Sequence, residues 1–231
     1  LKKANKEAFS GSFTTSIGSN SSSESNSLRA EEFSTNFNFN GTLGKLDYLL
    51  SVNGNASGGL SAAESTTSAS FEEDLFSKQN ILLNLNYNIS DKLKLGVLTS
   101  LDEVSTDFDG FDFDPVTFAS IPADKNNNLE SIQKRIVLTA DYKYEKGELK
   151  VRTFFTDIKR TENPSDNFFN GEVLGFDIFN NYKLNSELSF LLGLTAQYQD
   201  MTQRTAFNTI ENGAGKQHFY DPYVSVNYNS E

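Results

Sequence analysis

The sequence predicts an all-β chain, an antiparallel up-and-down sheet of the kind that forms a membrane-spanning β-barrel. Three observations predict it. Apolar residues recur at every second position through most of the chain, the period of a strand with one apolar face. Tight turns alternate strictly with long polar connections. Several alternating runs reach about ten residues, enough to cross a bilayer at a tilt, where globular strands usually have roughly 5–6.

The elements follow in chain order. A first strand carries Phe9, Phe13 and Ile17, and a second carries Phe33, Phe37 and Phe39. The turn at 41–45 leads to Leu46, Tyr48, Leu50 and Val52. Ile81, Leu83, Leu85, Tyr87 and Ile89 alternate with Leu82, Asn84, Asn86 and Asn88, and after Ser90-Asp91-Lys92 the pattern resumes from Leu93 to Leu101. A further pair runs Ile136 to Tyr144, turns at 145–148, and returns through Leu149, Val151, Thr153 and Phe155. Leu174, Phe176, Ile178 and Tyr182 precede the turn at 185–187, and Leu188, Phe190, Leu192, Leu194, Ala196 and Tyr198 follow it. Val224, Val226 and Tyr228 mark a last strand, the tenth.

The remaining connections, near 18–32, 56–75, 102–134, 160–172 and 200–218, are long and rich in Ser, Asn, Asp, Thr and Gly. In an up-and-down sheet alternate connections lie at opposite ends, so tight turns gather at one end and long loops at the other. Most connections in compact soluble domains are about 4–6 residues, whereas outer-membrane barrels combine short periplasmic turns with long extracellular loops. Tyr87, Tyr142, Tyr144 and Tyr182 stand near the turn ends, where an interfacial aromatic girdle belongs. Asn84, Asn86, Asn88, Ser189, Thr195, Gln197 and Gln199 make the other face suited to a wet lumen. With no closing strand visible after Tyr228 and Leu1 not a start methionine, the chain reads as about ten consecutive strands of a larger barrel.

Composition narrows the function classes. The 231 residues include 20 Phe, 9 Tyr, no Trp and no Cys, with a net charge of −11. Aromatic content of 13% is too high for a disordered chain, and a mean hydropathy of −0.47 is too polar for a bundle of membrane helices. The negative charge disfavours nucleic acid as a partner. Absent cysteine removes disulfides and zinc–thiolate sites, and a single histidine, His218, in a loop reading leaves no basis for a catalytic centre. Gly213-Ala214-Gly215-Lys216-Gln217 lacks the first glycine and the Ser or Thr of a phosphate-binding loop. An enzyme is not expected.

The longest connection gathers Asp102, Glu103, Asp107, Asp109, Asp112, Asp114 and Asp124. Gly110 stands two positions early for an EF-hand and Phe118 occupies the place of its bidentate glutamate, so that motif is excluded. On composition the cluster is a solvated acidic rim; the alternative is calcium, whose six to eight oxygen ligands tolerate irregular loops.

Several stretches together resemble a family. Leu1-Lys2-Lys3-Ala4-Asn5-Lys6, Gly18-Ser19-Asn20, the hairpin from Gly44 to Gly54, Phe76-Ser77-Lys78 after its acidic residues, and Phe219-Tyr220-Asp221-Pro222-Tyr223 are similar to TonB-dependent outer-membrane receptors, nearest the vitamin B12 (cobalamin) branch. The resemblance is diffuse and spans nearly the whole of residues 1–231. It implies part of a 22-strand barrel, with plug domain, TonB box and remaining strands outside this sequence, in the outer membrane of a Gram-negative bacterium. It implies outer-membrane lipid, the TonB complex acting through the plug, and a scarce bulky ligand such as cobalamin as partners. Siderophores or other metal chelates are the alternative ligands, and a passive porin or barrel-anchored surface protein the alternative classes. By the same resemblance, calcium would be held by Glu72, Glu73 and Asp74 of one loop with Asp107, Asp109 and Asp124 of the next.

Overall fold

The structure, a computed structural model, describes residues 8–20, 30–60, 72–205, 209–210 and 215–229. It is all-β, a single antiparallel up-and-down sheet. The strands are β1 (Ser10–Gly18), β2 (Glu32–Leu43), β3 (Leu46–Leu60), β4 (Asp74–Asn88), β5 (Leu93–Phe113), β6 (Ser120–Tyr144), β7 (Gly147–Asn163), β8 (Asn167–Lys183), β9 (Leu188–Arg204), β10 (Thr209–Ile210) and β11 (Gln217–Tyr228). Each pairs with its sequence neighbour up to β9, whose far edge carries both β10 and β11. The edge strands β1 and β11 do not pair with each other, so the sheet is open.

Register shows why the alternation matters. One row runs through Phe39, Leu50, Leu83, Thr99, Ile136, Phe155 and Leu174, each opposite the next on adjacent strands. A second runs through Tyr48, Leu85, Val97, Leu138, Thr153 and Phe176. Because side chains directly opposite share a face, these rows form one continuous apolar face. Shifting any strand by a single residue would turn its apolar set to the other side.

No hydrophobic side chain is buried among the described residues, and the buried polar set is Thr156 alone. Phe13 is 66% exposed and Val226 57%. A soluble domain covers such a face with a second layer around a shared core; this sheet, among its described residues, has none.

The opposite face is polar. Thr42, Asp47, Asn86, Gly96, Thr139, Arg152 and Asp177 form one of its rows. Gly96 leaves room there for its neighbours: a Cβ would stand 2.4 Å from Thr139 Oγ1 and 2.9 Å from Asn86 Oδ1, so those side chains would have to turn away.

All four expected tight turns lie at one end, between β2 and β3, β4 and β5, β6 and β7, and β8 and β9. Gly44, with φ of 60°, supplies the left-handed residue of the first. The tyrosines cluster at this end as expected. Tyr87 pairs with Leu46 and Leu95, Tyr144 stacks on Tyr142 with ring centres 6.4 Å apart, and Tyr182 lies opposite Phe190.

The other end differs from the sequence reading. The connection expected at 102–134 is mostly strand: β5 and β6 continue until only Asp114–Ala119 remain between them. The connection expected at 160–172 shrinks to Pro164, Ser165 and Asp166. Polar, Asp-rich segments have low intrinsic strand preference, but a ladder partner of equal length satisfies their backbone. His218, expected in a loop, instead lies within β11 opposite Tyr198, with ring centres 5.0 Å apart. Parts of the connections at 18–32, 56–75 and 200–218, including Gly213 and Ala214, fall outside the described residues.

Candidate functional site

At the long-connection end β5 and β6 outrun their neighbours. The last β4 pair is Phe76 with Thr106, and the last β7 pair is Asn163 with Asn128. Beyond them, among the described residues, the β5–β6 ribbon continues as a two-stranded arm. At its base the register jumps: Phe108 faces Asn127 while Gly110 faces Ala123, so Asp124, Lys125 and Asn126 bulge opposite the single residue Asp109. Bulges bend a ribbon and re-aim side chains.

This junction collects five of the six acidic residues that the resemblance offers for calcium. Asp74 opens β4, with Glu72 just before it, while Asp107 lies on β5 below the bulge and Asp109 and Asp124 lie within it. The backbone N–H of Glu72 donates to Asp124 Oδ2 at 3.0 Å, and that of Leu75 to Asp107 Oδ2 at 3.3 Å. Thus two carboxylates of the arm clasp the chain entering β4. The Lys125 N–H donates to Asp109 Oδ1 at 3.2 Å across the bulge, and Asn128 Nδ2 donates to Asp107 Oδ1 at 2.8 Å. Asn128 and Lys125 were not anticipated; Lys125 lies within the bulge and Asn128 opposite Asp107 just below it, and composition alone does not locate the bulge.

The electrostatics follow from this crowding. Partial removal from water, then repulsion by Asp124, Asp109, Asp74 and Asp107, raises the Glu72 carboxyl above its ordinary value. Protons are held more tightly where like charges meet.

As a calcium site the donor chemistry fits, being all oxygen. As the side chains stand, no group of three or more acidic or histidine side chains among the described residues converges on one metal position. Several of the oxygens accept backbone N–H groups instead.

Beside the junction is an open cavity of about 470 Å³. Phe33, Ala56, Leu75 and Phe76 line it and Glu31, Glu73 and Asp107 rim it.

On the polar face, amides form a directional chain. Asn38 Nδ2 donates to Asn36, and Asn36 to Asn53. Asn53 donates to Asn80 at 3.1 Å, and Asn80 to Asp102 Oδ1 at 2.7 Å. Four adjacent strands, β2 to β5, are therefore tied by side chains as well as by backbone. A second network has Thr195 Oγ1 donating to Asp177 at 3.0 Å and the Tyr223 hydroxyl to the same oxygen at 3.3 Å, with the tyrosine ring lying over Gly193. The chain matches no protein-family model and no curated protein.

Proposed function

We propose that this chain is a wall of an outer-membrane β-barrel and that the barrel is a TonB-dependent uptake receptor for a scarce bulky ligand, cobalamin first among the candidates. One observation carries the membrane part: an apolar face, continuous across the strands, with no described apolar side chain buried. Soluble monomers rarely expose apolar patches beyond a few hundred Å². On β5 the apolar face runs from Leu93 to Leu101, and on β9 from Leu188 to Ala196. About nine residues at ~3.3 Å, tilted ~40°, give roughly 23 Å, close to the ~25 Å apolar band of such barrels. Immediately above it on the same face come Lys134, Asp157, Glu172 and Asp200, opposite one another in sequence of strands. That charged row suits a headgroup boundary, and the tyrosines of the turn end suit the other.

The receptor part is supported by the amide-rich opposite face, by the elaborated long-connection end, and by the family resemblance. Calcium at Glu72, Asp74, Asp107, Asp109 and Asp124 belongs to this reading through the resemblance and the all-oxygen donor set.

An epitope inserted in the β7–β8 turn at 164–166 of the full-length protein should label on intact cells, and one at 145–146 should not. The reverse pattern, or recovery of the protein in a soluble fraction, overturns the membrane reading. For the receptor reading, loss of the gene should lower uptake of labelled cobalamin; unchanged uptake of both cobalamin and a ferric siderophore overturns it.

A further inference from the structure

The polar face holds its cations in two different states. On β7 three of them, Lys150, Arg152 and Arg160, share that face by alternation. The outer two are engaged by glutamates two residues away on the same strand. Lys150 Nζ lies 3.1 Å from Glu148 Oε2, and Arg160 Nη2 lies 2.5 Å from Glu162 Oε1. Each also stands over an aromatic ring of β8, Phe179 for Lys150 and Phe169 for Arg160. Arg152, between them, is exposed and has no ion pair or hydrogen bond among the described residues. Asp177, directly opposite on β8, accepts Thr195 Oγ1 and the Tyr223 hydroxyl instead.

Arg135 on β6 is a second exposed cation without a carboxylate. Its Nε donates at 3.4 Å to Oγ1 of Thr156, itself only 5% exposed, which fixes the base of the guanidinium and leaves its terminal nitrogens to a ligand. The nearest acidic residues of the face are occupied or lie among other cations: Asp102 accepts Asn80, and Asp141 stands opposite Lys94 and Lys150.

The two arginines bracket one stretch of the β6–β7 seam. Arg135 faces Thr156, Val137 faces Phe154, and Thr139 faces Arg152. Four residues therefore separate their rows, about 14 Å at ~3.4 Å per residue. The larger side chains between them turn away from the seam. Thr139 tips toward Gly96 of β5, and Phe154 lies over Gly175 of β8. The strip between the arginines is left to Val137.

We infer that Arg135 and Arg152 together bind an elongated small molecule with an anionic oxygen group, carboxylate or phosphate, at each end and an uncharged middle lying along Val137 and Phe154. A guanidinium presents paired N–H groups that match such an end bidentately. On a chain of net charge −11, whose flanking cations already have carboxylates, two arginines left without one supply the local attraction a dianion needs. Their separation sets the selectivity, since a ligand charged at one end reaches only one of them. The inference takes from the proposed function only that this face is wet, and it is separate from the identity of the bulky ligand.

Isothermal titration of the full-length protein in detergent with succinate, adipate and suberate tests it, with hexanoate as the one-ended control. Adipate or suberate should bind roughly tenfold tighter than either hexanoate or succinate, the worth of one further charge-assisted contact. Arg135→Gln and Arg152→Gln should each bring the long dicarboxylates down to the level of hexanoate. Arg152→Lys should recover part of the loss, because it restores charge without the paired donors. Arg160→Gln, which removes a cation already engaged by Glu162, should stay within about threefold. No binding of any dicarboxylate overturns the inference, as do equal affinities for hexanoate and adipate or a maximum at succinate. A loss in Arg160→Gln as large as in Arg152→Gln also overturns it, since the effect would then be one of general charge. Binding of a polyglutamate peptide without any of the dicarboxylates would assign the pair to an acidic protein segment and overturn the small ligand. The labelling and uptake tests above can fail while this titration succeeds, and the reverse, so the two readings fall separately.

Discussion

The lower and upper halves of β5 have the same backbone and opposite chemistry. From Leu93 to Leu101 every second side chain is apolar or a threonine, and strands bound it on both sides. From Asp107 to Phe113 carboxylates and phenylalanines predominate, and among the described residues no strand is paired on the β4 side beyond Thr106. The ladder tolerates both, because its hydrogen bonds do not depend on side-chain polarity. What differs, on the membrane reading proposed above, is the medium each half suits: below, a face toward lipid; above, a ribbon in water with apolar groups exposed at its tip. Strand geometry is thus a property of pairing, and side-chain pattern reports the surroundings.

The sharpest way to break the comparison is to put one charge in each half. Val97 lies midway along the apolar run, opposite Leu85 and Leu138. Val97→Arg should cost about 2–4 kcal/mol, the range for a basic residue at a bilayer midplane. Phe113→Arg, on the exposed tip, should stay within about 0.5 kcal/mol. Folding into lipid vesicles across a urea series measures both. Equal effects would mean that the lower half does not face lipid.

The second test moves to the polar face. Removing the middle of the amide chain with Asn80→Ala severs its bonds to Asn53 and Asp102 and should cost about 1 kcal/mol, since neighbouring water replaces part of what is lost. Asp102→Ala should cost a similar amount, and the double variant less than the sum, because the two share one bond. Additive losses would show that the chain acts only as separate wetted amides. No comparable coupling is expected between Phe111 and Phe113, which share no such bond.

How much of this was legible follows from the same contrast. The apolar face, the four tight turns and the tyrosine end were readable because period two and turn residues act locally. The arm was misread as a loop because Asp and Gly dominate Asp107–Asp114, and intrinsic preference yields to a partner strand that only the register reveals. Grouping Glu72 and Asp74 with Asp107, Asp109 and Asp124 was available through resemblance, and the junction does bring them together. The clasp by backbone N–H groups was not readable, since it depends on where the bulge falls. Nor was the amide chain: alternation singled out Asn84, Asn86 and Asn88, whereas the chain runs through Asn38, Asn36, Asn53 and Asn80 to Asp102, its direction set by cross-strand offsets.

The smallest effects separate the two ends of the arm by pH. At the tip, Asp114 Oδ1 accepts the backbone N–H groups of Val116 and Thr117 at 2.8 and 3.2 Å. These bonds, Val116 first, hold its carboxyl below the ordinary value. A lowered carboxyl stabilises the fold above its unfolded pKa, and that contribution disappears as pH falls through the lowered one. Acid should therefore speed amide exchange at Val116 and Thr117, and Asp114→Asn should leave exchange there insensitive to acid. At the base the sign reverses. Glu72 is raised, by partial loss of water contact and then by Asp124 and its neighbours. Its contribution is present below the ordinary carboxylate range and is lost as pH rises through the raised value, when five charges face one another. Exchange at the Glu72 amide, which is bonded to Asp124, should quicken as pH rises through that range after correction for the intrinsic base dependence. Glu72→Gln should flatten the response, and millimolar calcium should suppress it if the ion takes the place of the proton. An unchanged profile in Glu72→Gln would mean that the clasp to β4 is governed by the arm's own bulge and not by the charges gathered at it.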